Sequence, residues 1–398
     1  MRRQIWLEYK KMWNEVTRVS VAVMCIVAVL HLLVYLNLQY RAIDSQGQIV
    51  EGLASYRALR EASEAVKGTM DGDYIKALVE SYNNSFDKAY MAEHRGFLGT
   101  GGMTKYMVPN YFVNYVYFGA YMSNGNNKIG LDYDFLESEE TFYQTYRETV
   151  KEHLLLVSYT EEQVQILEKK IRQLKTPFRT GYYQGLANLR SWFVLDYGLT
   201  IFALAFALAG VFAADHAGGV TELTLASRYG RKNNLDARWV AGNLLTISIY
   251  LIFIAVQVLA NGLIATLDGW NLPAQMLWFT CLYNITVGQG LLMMFAGGLL
   301  GALVIGNMVM LISILMKNRI FAAVISVAAA ALIWRSRTDY GQLRMIHPVH
   351  FKDDDLMNEY LFIGNLAVPY FVIVIVLTLL YVAVLRGATR LFYRRYGI

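Results

Sequence analysis

The chain has 398 residues, of which 56% are hydrophobic and 17% charged, and its mean hydropathy is +0.32. Soluble domains carry about 25% charged residues, so this balance excludes an ordinary soluble protein and points to a membrane protein. The formal net charge of +5 is small and dispersed and gives no argument for nucleic acid. Cys25 and Cys281 both lie in apolar runs, so their even count does not imply a disulfide framework.

Residues 1–18 are amphipathic. Ile5, Tyr9, Met12, Trp13 and Val16 fall on one helical face, and Arg2, Arg3, Lys10, Lys11 and Arg18 supply cations. Such a helix is expected to lie along a membrane surface, with Trp6, Tyr9, Met12 and Trp13 as the interfacial residues. A solvated cationic lead-in that only sets orientation is the plainer alternative. Val19 to Leu38 is long enough to cross a bilayer, and no small-residue cleavage pattern follows it, so it reads as a retained first span. His31 is its one ionisable residue. A lone His without a nearby carboxylate is expected to pack against a neighbouring helix, not to mark a proton path.

Residues 39–190 form a polar insertion with 17 Lys plus Arg, 19 Asp plus Glu and 16 of the 28 tyrosines. That length suffices for one domain. Helices are expected at 50–68, 72–91 and 137–175, the last a long one broken by Pro177, with Gly-rich breaks at 96–102 and 123–130. Tyr106, Tyr111, Phe112, Tyr115, Tyr117, Phe118 and Tyr121 make an aromatic cluster, read as a domain core before a peptide- or lipid-facing surface. The string GTGGMTK at 99–105 lacks the second Gly before Lys and the Ser or Thr after it, so it is a loop and no nucleotide site.

The second span is expected at Trp192 to Ala214, with Asp196 near its outer end, where hydration is cheap. A polar segment follows, DHAGGVTELTLASRYGRKNNLDARW from Asp215 to Trp239. It has helical spacing in its first half, with Val220, Leu223 and Leu225 to one side and Glu222 and Thr224 to another. The third span runs from Val240 to Ala265. A short loop, 266–276, holds no Lys or Arg. Leu277 to Met316 is too long for one straight span: either a kinked or interfacial helix precedes a full span from roughly Gly288, or there are two spans. Ile320 to Trp334 and Ala367 to Leu385 complete the set, and a tail carries Arg386, Arg390, Arg394 and Arg395. Six spans with both termini inside place fifteen Lys and Arg in short cytoplasmic segments against four in short outer ones, as the positive-inside rule asks. Gly288, Gly290, Gly297, Gly298, Gly301 and Gly306 let helices approach closely, within one subunit first and at a subunit interface second.

Catalytic signatures such as H-E-x-x-H and G-x-S-x-G are missing. His347 and His350 followed by Asp353, Asp354 and Asp355 read as a solvated acidic loop before a metal site. Carboxylates in the spans are sparse, which argues against a proton-driven carrier.

Asp215, Gly218, Gly219, Glu222, Leu223, Leu225, Ser227 and Arg228, followed by Arg238 where Lys is frequent, resemble the permease subunit of ABC transporters of the type-2 class. The resemblance covers residues 1–38 and 192–398. It implies an all-α polytopic membrane protein with six transmembrane helices, an N-terminal amphipathic interfacial helix and a mostly helical extracellular domain between spans one and two. It also implies a coupling helix at about 215–232, in which Asp215, Gly218, Gly219, Glu222, Leu223, Leu225, Arg228 and Arg231 dock on an ABC ATPase subunit. ATP and magnesium would sit on that partner and no cofactor on this chain. A second permease copy or a related chain would complete the assembly in the plasma membrane, and nucleic acid is no partner. Few charges in the spans suggest an amphipathic or hydrophobic cargo (peptide, lipid or drug), and the family implies export. Two features depart from the pattern: Tyr229–Gly230–Arg231 replaces a Pro/Ser-type turn, and the insertion is large. A membrane-anchored peptide receptor or bacteriocin-immunity protein acting through the insertion remains the alternative, and an intramembrane enzyme is disfavoured by the missing polar pairs.

Overall fold

The computed structural model describes residues 1–39, 41–43, 46, 48–65, 67–83, 138–156, 159–217, 233–316, 318–335, 345–347 and 353–395. Helix α1 (Arg2–Met12) and helix α2 (Glu15–Gln39) are separate elements, where one amphipathic piece to residue 18 was expected. The side chain of Asn14 makes the break: its Oδ1 accepts from Thr17 N at 3.2 Å, satisfying a backbone donor at the start of α2. The Thr17 hydroxyl reaches back to the Met12 carbonyl at 2.7 Å and fixes the angle between the two helices.

The insertion opens with a β1–β2 hairpin (Arg41–Ile43 and Ile49–Glu51) and continues through α3 (Leu53–Ala65), β3 (Gly68–Thr69) and α4 (Gly72–Asn83). The aromatic cluster at 106–121 and the Gly-rich breaks lie outside the described residues. After them come α5 (Glu139–Leu156), α6 (Glu161–Arg172) and β4 (Arg179–Thr180), which pairs with β3. The single helix expected over 137–175 is thus two. Thr160 starts a new helix by accepting from Gln163 N while the Gln163 side chain accepts from Thr160 N, a reciprocal cap that satisfies two orphan donors. The peptide bond before Pro177 is cis. Phe142, Tyr143, Tyr146 and Phe178 stack edge to face and are buried, giving the insertion its aromatic core.

Beyond it, α7 (Gln184–Leu208) begins ahead of the expected Trp192 and leads into α8 (Gly210–Ala217). Ser313 fills the break between α7 and α8. Its Oγ accepts from Phe212 N and Ala213 N at 3.0 and 3.1 Å and donates to the Ala209 carbonyl at 2.7 Å. Helix α9 is Leu235–Ala265. The stretch 277–316 resolves into a non-helical approach and one helix, α10 (Val287–Leu315), started by a Thr286–Gln289 capping box. A 3₁₀ turn at Ala274–Met276 precedes it, and buried Gln275 donates to the Cys281 and Tyr283 carbonyls, so the irregular backbone is hydrogen-bonded inside the protein.

Helix α11 (Arg319–Arg335), α12 (Asp353–Asn358), the antiparallel hairpin β5 (Tyr360–Ile363) with β6 (Leu366–Pro369), and α13 (Tyr370–Arg395) complete the chain. The last span therefore starts at Tyr370 where Ala367 was expected, because residues 366–369 are paired in a sheet. It also runs on through Arg386 and Arg390, which belong to the helix and not to a tail.

Among the described residues five helices are long and apolar enough to cross a membrane: Glu15–Val34, Gln184–Ala214, Leu235–Ala265, Val287–Leu315 and Tyr370–Tyr393; Arg319–Ile333 is apolar but shorter. The chain is a mostly helical, multi-pass membrane protein. Helix α10 sits at the centre, packed by α7, α9, α11 and α13. Its glycines make that possible: a Cβ on Gly298 would collide with the Tyr250 hydroxyl and the Phe193 ring, and one on Gly306 with the Thr246 side chain. The insertion is fastened to the end of the bundle opposite α1. Tyr146 Oη donates to the Phe279 carbonyl at 2.9 Å, Lys175 N to Asn284 Oδ1 at 2.8 Å, and Asn284 Nδ2 to the Gln173 carbonyl at 2.9 Å.

Candidate functional site

Two polar centres stand out in a largely apolar bundle. The first lies where α1, α8, α9 and α13 meet. Ile5, Tyr9, Met12 and Trp13 are turned onto the bundle, and the Tyr9 hydroxyl bonds Ser248 Oγ of α9 at 2.8 Å. The expected apolar face thus packs on the bundle. Trp6 and Leu7 are the exposed apolar side chains, with Trp6 stacked on Tyr9 and Lys10 above its ring. Val16 leaves the expected face and is exposed, because the break at Asn14 changes the phase of the helix.

Arg238 holds this junction together. It is 4% exposed, its Nε lies 3.4 Å from Glu8 Oε2 of α1, and its Nη1 donates to the Val211 carbonyl of α8 at 3.3 Å. Phe212 lies under the guanidinium. One planar cation therefore ties three elements, which a lysine ammonium could not do with the same fixed geometry. Two residues earlier, Asp236 Oδ1 accepts from Arg386 and Arg390 of α13 at 3.2 and 2.8 Å, while the Arg386 guanidinium covers the Trp239 ring. Trp239 donates to Asn307 Oδ1 at 2.6 Å and Asn307 to Asn243 Oδ1 at 2.8 Å, which extends the network into α10. Asn14 accepts from Arg319 of α11 at 3.3 Å.

Of the expected coupling residues, Asp215 lies on α8, and Gly218, Gly219, Glu222, Leu223, Leu225, Arg228 and Arg231 lie outside the described residues. The helices on either side of them, α8 and α9, are the two that Arg238 joins. Glu8 and Asp236 were missed as site residues. The signal for Asp236 was legible, since Arg386 and Arg390 stand one turn apart at the end of an apolar helix and need an anion.

The second centre lies in the spans toward the insertion. Asp196 is 3% exposed, where an outer, hydrated position was expected. His31 Nδ1 of α2 lies 2.7 Å from its Oδ1, and Gln257 Nε2 of α9 donates to its Oδ2 at 2.8 Å. Trp192, one turn before Asp196, meets the His31 ring edge to face at 4.5 Å. His31 therefore does have a carboxylate partner, and the expectation of a lone packed histidine is corrected. Neither span's own sequence pairs His31 with Asp196; only the packing of α2 on α7 does.

Elsewhere, Cys25 and Cys281 are free thiols, and burial pushes the Cys281 thiol up to about 12. His347 spends Nε2 on the Ile333 carbonyl, while His350 lies outside the described residues. Among the described residues no group of three or more His, Cys, Asp or Glu could hold a metal ion. No family model matches the chain, and no curated protein or solved structure matches it.

Proposed function

We propose that the chain is the membrane-spanning permease subunit of an ATP-driven ABC transporter of the type-2 class, moving an amphipathic or hydrophobic cargo outward. In this reading the spans number six, with α11 as the short one: its 17 residues cover about 26 Å at 1.5 Å per residue, within the lower limit for crossing. Both termini and residues 218–232 face the cytoplasm, and the insertion and the β5–β6 hairpin face outward. A separate ATPase subunit, with ATP and magnesium bound to it, docks on 215–232, and a second permease chain completes the pathway.

The observation that carries the reading is the Arg238 junction. A partner pushing on 218–232 acts on α8 and α9, and Arg238 links both of these to α1 through Glu8 and Val211. Asp236 passes the same displacement to α13 through Arg386 and Arg390. A local force at the polar segment is thereby delivered to four helices through ion pairs and charged hydrogen bonds of 2.8 to 3.4 Å. Glu222 and Arg228 would fix the segment in the partner's cleft.

The test is affinity purification of the full chain from its native cell in mild detergent, followed by mass spectrometry and an ATPase assay. A stoichiometric ATPase subunit is expected, and its release or loss of stimulation in Glu222→Ala and Arg228→Ala chains that still accumulate in the membrane. A chain that purifies without any ATPase under several detergents would overturn the reading.

A further inference from the structure

We propose that His31, Asp196 and Gln257 form a proton-binding site within the spans, its carboxylate and amide buried and its imidazole 41% exposed at the side of the bundle, reached from the end that carries the insertion. When the imidazole is neutral, the triad holds one full negative charge on a carboxylate that is 3% exposed between three spans. An isolated charge at such a place is costly. One added proton turns the pair into an imidazolium and a carboxylate 2.7 Å apart, neutral as a whole. No bond other than N–H is made, and the proton comes from water.

The ionisable groups on the surrounding helices are committed elsewhere. Arg190 of α7 donates to the Leu277 carbonyl at 2.6 Å, and Tyr197 donates to the Gly298 carbonyl at 2.6 Å. Tyr250 of α9 donates to the Phe295 carbonyl, and Arg60 of α3 pairs with Asp268 at 2.9 Å. Glu15 and Arg18 sit at the far end of α2, and Asp236 and Arg238 at the far end of α9. Among the described residues no other cation faces the Asp196 carboxylate, so a proton is the cation available to balance the triad's charge.

A polar stripe supplies the route. Gln184, Asn188, Trp192, Asp196 and Thr200 recur at four-residue spacing on α7 and are all buried. Gln184 Nε2 donates to Asn188 Oδ1 at 3.2 Å, and Asn188 Nδ2 donates to the Tyr56 hydroxyl of α3 at 2.6 Å. These groups lead from the insertion to a depth of about 18 Å, twelve residues along α7. Asn261 Oδ1, one turn from Gln257 toward the same end, and Thr200 Oγ1, one turn beyond Asp196, are buried without a hydrogen-bond partner among the described residues. Polar atoms thus continue on both sides of the triad along facing helices.

The site does not rest on the transporter reading, and its test needs neither ATPase nor cargo. The full chain in lipid nanodiscs, labelled with ¹³C,¹⁵N-histidine, gives a His31 resonance assigned by its loss in His31→Gln, and its imidazole is titrated from about pH 5 to about pH 9. Asp196→Asn is expected to lower the proton affinity of His31 by tenfold or more, a downward shift of about one pH unit, by removing the carboxylate. Gln257→Leu is expected to raise it, because the amide stabilises the carboxylate at the expense of its hold on the proton. The opposite signs separate a proton site from a merely structural contact, and Gln257→Leu stands alone if Asp196→Asn does not assemble. A His31 that keeps one charge state across the range overturns the proposal, as does a midpoint that neither variant moves.

Discussion

Single side chains carry the cross-links of this bundle, and Arg238 is the clearest case. Removing it in Arg238→Met leaves Glu8 and the Val211 carbonyl facing a hydrocarbon, so a loss of about 3 kcal/mol is expected. Thermal unfolding of the purified chain measures it, and the double change with Glu8→Gln should cost less than the sum of the two single ones. Additive costs would show that the pair does not interact. At Cys281, burial and a thiol pushed up to about 12 predict that maleimide at neutral pH spares it in the folded chain, as it spares Cys25 inside the first span. Rapid labelling of Cys281 would contradict the buried position. At this scale the sequence was partly legible. Arg238 was visible as the basic residue closing the polar segment, and His31 and Asp196 as lone ionisable groups in apolar runs. That the last two meet was not legible, because 165 residues separate them and each alone has an innocuous explanation.

Among the elements, capping decides the boundaries that periodicity misplaced. Thr160 with Gln163 splits one long amphipathic stretch into α5 and α6, since two helices with a reciprocal cap leave fewer orphan N–H groups than one frayed helix. Ser313 does comparable work between α7 and α8. Ser313→Ala removes the acceptor for two buried amides, so a loss of about 2 kcal/mol is expected, read by thermal unfolding and by faster hydrogen exchange at Phe212 and Ala213. Unchanged exchange there would show that the break is held by other means. On α5, burial holds the His153 imidazole below its ordinary 6.5. Folding costs nothing there while the ring is neutral, above 6.5. As pH falls below that value the unfolded chain takes up the proton first, and the native state loses stability until its own lower pKa is passed. Unfolding followed between pH about 7.5 and about 5.5 should therefore show a slope that His153→Gln reduces.

At the scale of the whole molecule, the insertion and the spans act as one piece. Asn284 holds the Lys175 amide and the Gln173 carbonyl at once, so Asn284→Ala is expected to cost about 1 kcal/mol and to speed hydrogen exchange after α6 while leaving α9 protected. Equal acceleration in both would mean that the contact is global. Helix α9 runs the full height between the fastening of the insertion at one end and the charged junction at the other, so in the proposed permease it is the element that would relay motion toward the insertion.

Composition and apolar run length alone determined that this is a helical membrane protein with a large polar insertion, because the bilayer demands about twenty apolar residues per crossing and forbids unpaired backbone. The amphipathic start, the polar segment after the second span and the glycine-rich centre followed from local spacing for the same reason. Only the tertiary structure decided which face of α1 meets protein, which arginines meet Asp236 and that His31 meets Asp196. Those are contacts between groups far apart in the chain. A helical period says which residues share a face; only the packing of one helix on another says what that face touches.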